Sequence, residues 1–273
     1  MGLYLPQRWR QQPTVAVAVN RASPLANGLV LVFTPHLGVP LLNNAKSSSD
    51  SGTSTTGAFG RGVDYSGTAQ TVFPNPAPYV WNGGLTFAAL FDLDTATNSS
   101  ALFSHATASN GIGGGLDIRL GNGATDTRIS VTRSHSTDFS QCAPSGNVIT
   151  APNNSNIVLV TGSTDLAVLP NGRVNRTPTT YVENHPATGT MTVTTNSVFV
   201  GRREDGAGQL DGRIYLQCLW NRILATSEQM AFEANPWQIF APIPARRYFF
   251  SAAAAPTATG QYFDKSLNVL AWF

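Results

Sequence analysis

The sequence predicts an all-β protein built as an antiparallel sandwich or barrel. Apolar runs are short, alternate with polar residues, and are rich in β-branched and aromatic side chains. Turn signals are dense between them, as at Asn27-Gly28, Asn82-Gly83-Gly84, Gly121-Asn122-Gly123, Asn171-Gly172 and Asp211-Gly212. No strand–helix–strand rhythm and no repeat period is present, so a parallel sheet or a solenoid is not expected.

In chain order the expected strands are VAVAV (15–19), LVLVF (29–33), LTFAALF (85–91), LDIRL (116–120), ISVTR (129–133) and IVLVTG (157–162). TTYV (179–182), TVTTNSVFVG (192–201) and RIYLQCLW (213–220) continue the series. One helix is expected at 226–235, TSEQMAFEAN. Thr226 and Gln229 can form a capping box there, and Asn235-Pro236 ends it. The segment 43–60, NNAKSSSDSGTSTTGAFG, reads as a polar loop. Residues 1–22 and 245–273 carry Pro, Arg, aromatics and Ala with little strand pattern, and read as arms around a domain at 23–244.

Hydrophobic residues make up 42% of the 273, enough for a substantial core. Charged residues make up 12%, about half the usual share of roughly 25%. The net charge of +2 gives no reason to expect a nucleic-acid partner. Arg outnumbers Lys fifteen to two, a bias that suits protein contacts. Cys142 and Cys218 share no zinc-type spacing. Cys218 reads as a core thiol, and a disulfide between the two stays open. No signal-peptide h-region and no membrane span is legible, so synthesis in a host cytoplasm is expected, with no membrane partner. Asn153-Asn154-Ser155 and Asn175-Arg176-Thr177 match glycosylation sequons, which an Asn/Ser/Thr-rich chain produces by chance.

Four stretches resemble the laminin-G-like, concanavalin-A-like domains of tailed-phage proteins. SPLANGLVLVFTP (23–35) resembles their opening strand. FGRGVDYSGTAQTVFP (59–74) is similar to their second, with Tyr65 at the aromatic place. GGLTFAALFDLD (83–94) resembles the strand that follows. The stretch 197–240 carries a last core strand running into a short helix and an NPWQ closure, with Glu228 one place early. The resemblance covers about residues 23–244. It implies a jelly-roll sandwich of two antiparallel sheets, with Trp220 and Trp237 buried.

Such folds host lectins, hydrolases and virion proteins alike, so the site must decide. Jelly-roll glycosidases need paired carboxylates in an E-x-D-x-x-E arrangement. Glu228 and Glu233 have the outer spacing, but Met230 replaces the Asp, and on a helix they fall on different faces, as solvated carboxylates. No enzyme is expected, and no cofactor. His36, His105, His135 and His185 are scattered, and GIGGGLDIRLGNG (111–123) reads as a hairpin loop rather than a phosphate cradle. Calcium on Asp92 and Asp94, or at Glu204-Asp205, competes with ordinary rim carboxylates. Trp81 is either a sugar-stacking aromatic or a strand-edge residue half-packed on the core.

Two functions follow from these readings. The first is a structural virion protein of a tailed phage, a capsid decoration or cement protein. Its arms would hold the major capsid protein and copies of itself. The partner-binding residues expected are Leu3, Tyr4, Trp9 and Arg10 in the N-terminal arm. In the tail they are Arg246, Arg247, Tyr248, Phe249, Phe250, Tyr262, Phe263, Trp272 and Phe273. The alternative is a carbohydrate-binding tail-fibre or adsorption protein that recognises host polysaccharide. For each arm the competing expectation is packing on its own domain.

Overall fold

The computed structural model describes residues 12–14, 17–34, 49–73, 83–95, 100–106, 114–121, 127–135, 137–149, 152–192, 194, 196–203 and 205–242. All belong to one of two units of the chain, Met1–Ile243; the other, Pro244–Phe273, lies outside the described residues. The strands in order are β1 (Val17–Val19), β2 (Leu29–Phe33), β3 (Ser49–Asp50), β4 (Thr53–Gly57), β5 (Gly60–Asp64) and β6 (Thr71–Phe73). Next come β7 (Gly84–Leu93), β8 (Ser100–Ala106), β9 (Gly115–Leu120), β10 (Ile129–Ser134), β11 (Phe139–Pro144) and β12 (Asn153–Ser163). The last are β13 (Asn171–Val174), β14 (Thr177–His185), β15 (Val198–Val200), β16 (Gly212–Trp220), the helix α1 (Thr226–Ala234) and β17 (Phe240–Pro242).

Every pairing between these strands is antiparallel, and they form the expected two-sheet jelly-roll sandwich. The first sheet runs β4-β5-β16-β7-β12-β13, with β2 also on β16. The second runs β3-β6-β15-β8-β9-β10-β11-β14. β14 joins them: its first half pairs with β13, and its second half, from Tyr181, pairs with β11. A separate ribbon pairs Val17–Val19 with Phe240–Pro242.

The core between the sheets interleaves both inner faces. Phe87 of β7 meets Phe103 of β8 at 5.6 Å between ring centroids, and Phe33 of β2 meets Phe73 of β6 edge-on at 5.3 Å. A bulge at Leu102 leaves its carbonyl off the ladder, and buried Gln217 of the opposite sheet donates to it at 2.7 Å. β7 is buried along all ten residues. Leu85, Phe87, Ala89, Phe91 and Leu93 face the inter-sheet core, while Ala88 and Leu90 face a second apolar cluster on the outer side. Its near-continuous apolar sequence reflects cover on both faces. The second cluster is closed by Leu25, Trp220, Leu224, Phe232, Trp237, Ile239 and Phe240. Trp220 stands edge-on to Phe232 at 5.6 Å and donates its indole N–H to Leu25 O at 2.6 Å.

Several expectations need correcting. Asn171-Gly172 is strand, not turn. A Cβ on Gly172 would lie 2.8 Å from the Tyr181 ring, so close packing is what calls for glycine there. Asp211-Gly212 likewise leads into β16, where a Cβ on Gly212 would collide with Asp92 O at 2.2 Å. Within the expected loop 43–60, β3 and β4 form, β4 pairing with β5 as a hairpin. Of TVTTNSVFVG only Val198–Val200 is described as strand. The helix starts at Thr226 as expected and ends at Ala234, with Asn235 as its C-cap, but its N-terminal cap differs. Ala225 is the N-cap, and Glu228, not Gln229, accepts its N–H at 2.9 Å. Gln229 instead donates to Leu224 O at 2.8 Å.

Candidate functional site

At the margin of the first sheet's outer face an open cleft of about 280 Å³ is lined by Phe59, Ser155, Ile157, Asn175 and Arg176. Phe59 occupies the β4–β5 turn and leans edge-on against Tyr215 at 5.4 Å. Gln12 secures that turn, donating to Arg61 O at 2.8 Å and accepting from Arg61 N–H at 2.6 Å. Ser155 reaches the cleft through a bulge, where β12 carries an extra residue between Asn153 and Asn156 against β7. Ile157 supplies the floor.

The opposite rim is the β13–β14 turn. Asn175 and Arg176 both have positive φ, 49° and 71°, as a two-residue turn of the hairpin-favouring type requires. Asn175 Oδ1 accepts Ile157 N–H at 2.9 Å, and its amide donates to Asn156 Oδ1 at 3.2 Å. Arg173 donates to Arg176 O at 2.6 Å and to Glu233 Oε2 of α1 at 2.8 Å. The turn is therefore pinned to the sheet and to the helix. The Arg176 guanidinium, exposed above it, meets no hydrogen-bond or ion-pair partner among the described residues. An aromatic wall, an apolar floor and an exposed cation can hold a small ring-shaped ligand with a polar edge.

The second sheet's outer face is polar and closed. Strand register places His185, Gln141, Thr132, Asp117, Ser104 and Phe199 in one row across six strands. At its centre Asp117 pairs with Arg119 at 2.9 Å, and Arg119 donates to Thr132 Oγ1 at 3.0 Å. Thr132, Asp117 and Arg119 are only 1%, 4% and 8% exposed. Burial raises the Asp117 acid above its usual range although Arg119 and Arg203 pull it down. At the open end of the row the rings of Phe139 and His185 stack at 4.2 Å, and His185 Nδ1 lies 2.8 Å from Phe139 O.

The carboxylates considered for calcium share an arginine instead. Fully buried Asp92 accepts from the Tyr215 hydroxyl and from Arg213 at 3.2 Å. Arg213 also lies 3.7 Å from Asp64 and 3.8 Å from Asp94. Burial raises the Asp92 acid, while Tyr215 and Arg213 oppose it. Asp205 pairs with Arg203 at 3.0 Å, and Glu204 lies outside the described residues. Among the described residues no three potential ligands gather as a metal site.

Glu228 and Glu233 are not two solvated carboxylates. Arg222 grips Glu228 with two bonds of 2.7 Å, which lowers its acid. Glu233 is buried because α1 lies on the sheet, where Arg173 meets it. Both cysteines are free and sit in different clusters, Cys142 between the sheets and Cys218 on the outer face of the first. Trp220 and Trp237 are buried as expected. His105 is a core residue whose burial lowers its pKa to about 4. His36, Trp81 and every expected partner residue of the two arms, from Leu3 to Arg10 and from Arg246 to Phe273, lie outside the described residues. Sequence reasoning did not single out Phe59 or Arg176 for recognition. The two sequon motifs at 153–155 and 175–177 do mark the segments that supply Ser155, Asn175 and Arg176. No described helix is long and apolar enough to cross a membrane.

No protein family and no curated protein matches the sequence. Solved structures do match the fold. One is the binding domain of botulinum neurotoxin DC in complex with rat synaptotagmin II, at TM-score 0.53 and 9% identity, covering 76% of this chain and 51% of that one. Another is from botulinum neurotoxin type C, which depends on interaction with two ganglioside molecules to enter cells. Its TM-score is 0.51 at 8% identity, over 77% of this chain and 52% of that one. This chain thus spans about half the length of those toxin chains. A third, domain 4 of the extracellular arabinanase AbnA from Geobacillus stearothermophilus, in complex with arabinotriose, is covered over 98% of its length. It matches 75% of this chain at TM-score 0.53 and 12% identity. At these identities the likeness shows a β-sandwich and nothing finer.

Proposed function

We propose that this chain is a carbohydrate-binding domain that works by recognition, not by catalysis. The observation that carries the reading is the Phe59 cleft. It is open, has an aromatic wall and a polar rim, and its two turns are held in place, one by Gln12 and the other by Arg173 with Glu233. The β-sandwich neighbours support it, since one was solved with arabinotriose and another depends on gangliosides. That places glycan binding ahead of the virion-decoration reading. The latter rests on arms outside the described residues, and none of the neighbours named above is a virion protein.

Catalysis is not part of the proposal because the carboxylates are committed elsewhere. Glu228, Glu233, Asp92 and Asp117 each pair with an arginine, and none lines the cleft. Titration of the full chain against a panel of soluble oligosaccharides tests the reading. Binding is expected for at least one class, with Phe59→Ala weakening it by about ten-fold or more through loss of ring stacking. Absence of binding across neutral and acidic panels, or binding indifferent to Phe59→Ala, overturns it. Release of reducing ends would overturn the non-catalytic part.

A further inference from the structure

We infer that the cleft selects an acidic sugar, a ring carrying a carboxylate, with the ring against Phe59 and the carboxylate on Arg176. This rests on the glycan reading of the same cleft and adds the class of ligand. The first ground is a contrast among the arginines. Arg119, Arg173, Arg203, Arg213 and Arg222 each pair with a carboxylate of this chain, and Arg133 and Arg202 bond backbone carbonyls, whereas the exposed Arg21 and Arg61, which have no ion pair among the described residues, do not line the cleft. Arg176 has no carboxylate partner among the described residues, and it lines an open cleft.

The second ground is charge. The lining residues, Phe59, Ser155, Ile157, Asn175 and Arg176, include no acid, so Arg176 sets the sign of the cleft. The one carboxylate tied into the rim network, Glu233, is engaged by Arg173 at 2.8 Å. A guanidinium presents parallel N–H donors that match a planar carboxylate, a geometry a neutral hydroxyl does not fill.

The third ground is where Arg176 stands. Its φ of 71° is left-handed, a conformation that glycine adopts freely and a side chain adopts at a cost. Arg173 holds the strained residue by its carbonyl at 2.6 Å. The hairpin turn imposes this conformation, and backbone strain that the surrounding structure fixes in this way clusters at sites that bind. A volume of about 280 Å³ falls at the lower end of ligand sites, which suits one or two rings rather than a long chain.

The experiment compares trigalacturonate with its methyl ester, which keeps the rings and removes the charge, on the full chain and on Arg176→Gln, Arg176→Gly and Phe59→Ala. Wild type is expected to prefer the acid by about ten-fold at low ionic strength. The preference should shrink as salt rises. In both Arg176 variants the ratio of acid to ester affinity should fall to near one. Arg176→Gly guards against a folding artefact, because glycine suits that backbone. Equal affinity of wild type for acid and ester overturns the inference and leaves the glycan reading standing, as does an acid preference that survives both Arg176 variants. Failure of acid and ester alike, while a neutral oligosaccharide binds, overturns it too. Failure of every oligosaccharide removes the glycan reading itself.

Discussion

The two outer faces of the sandwich exclude water by opposite means. On the first sheet, Trp220, Phe232, Trp237 and Phe240 make an apolar seal with α1. On the second, Asp117, Arg119, Ser130 and Thr132 are buried as a hydrogen-bonded polar grid. Apolar contact is non-directional, so the first seal can end at a margin with few polar atoms at stake, such as Trp237 Nε1 and Glu233 Oε1, which are buried without a hydrogen-bond partner among the described residues. The cleft opens at such a margin. A polar seal is directional, and its geometry is not fully met: among the described residues Asp117 Oδ1 and Ser134 Oγ have no hydrogen-bond partner, and Arg119 Nε meets Asp117 Oδ2 only as an ion pair at 2.9 Å. Buried groups of that kind cost stability, which makes the grid a poor place to leave an opening.

The largest expected effect breaks the apolar seal. Trp220→Ala removes a fully buried indole, its contact with Phe232 and its bond to Leu25 O. The cost should be about 4 kcal/mol, read from denaturant unfolding. A loss below about 1 kcal/mol would mean that the outer cluster contributes little beyond the inter-sheet core. The polar seal should respond differently. Asp117→Ala strands Arg119 and should cost about 3 kcal/mol, whereas Asp117→Leu with Arg119→Met should return to within about 1 kcal/mol of wild type. If the double variant is as unstable as the single one, the grid specifies packing that apolar residues cannot replace.

Acidification sharpens the comparison from inside the core. His105 is buried between the sheets, and burial holds its pKa near about 4, below the ordinary 6.5. The unfolded chain therefore binds the proton first. The folded state keeps its full advantage above pH 6.5 and loses it as the pH falls to about 4. The shift corresponds to about 3 kcal/mol. Subtracting the pH profile of His105→Gln from that of wild type removes the carboxylates' contribution and should leave this loss alone. A flat difference curve would show that His105 is solvated.

Much of the fold was legible because alternation and β-branching report burial directly. LVLVF, ISVTR and RIYLQCLW lie within or coincide with observed strands. The errors came where one residue type serves two ends. Gly172 and Gly212 read as turns, but each makes room, for the Tyr181 ring and for the Asp92 carbonyl. The actual turn at Asn175-Arg176 lacks glycine and was invisible for that reason. Arg133 sits in a strand as if it faced water, yet it is fully buried and donates to the carbonyls of Ser163, Asp165 and Leu166. Ion pairs such as Arg173–Glu233 span sixty residues of sequence, and no local pattern announces them. The cleft depends on such pairs, so its site was less legible than its sheets.

The smallest predicted effect has the unusual sign. Arg176→Gly should stabilise the isolated protein by up to about 1 kcal/mol, because glycine removes the steric cost of a left-handed backbone. Added freedom of the unfolded chain works against this gain. The Arg173 bond is to the Arg176 carbonyl and should survive the change. Arg176→Ala separates the contributions, since alanine keeps the left-handed cost and deletes the guanidinium. It should leave stability within about 0.5 kcal/mol of wild type, as expected for an exposed side chain without a partner among the described residues. Thermal unfolding of the three proteins side by side reads both numbers. A clear loss in both variants would show that the guanidinium holds the fold together. Stability kept or gained, together with a weakened acid preference, would mark Arg176 as a residue retained for what it binds.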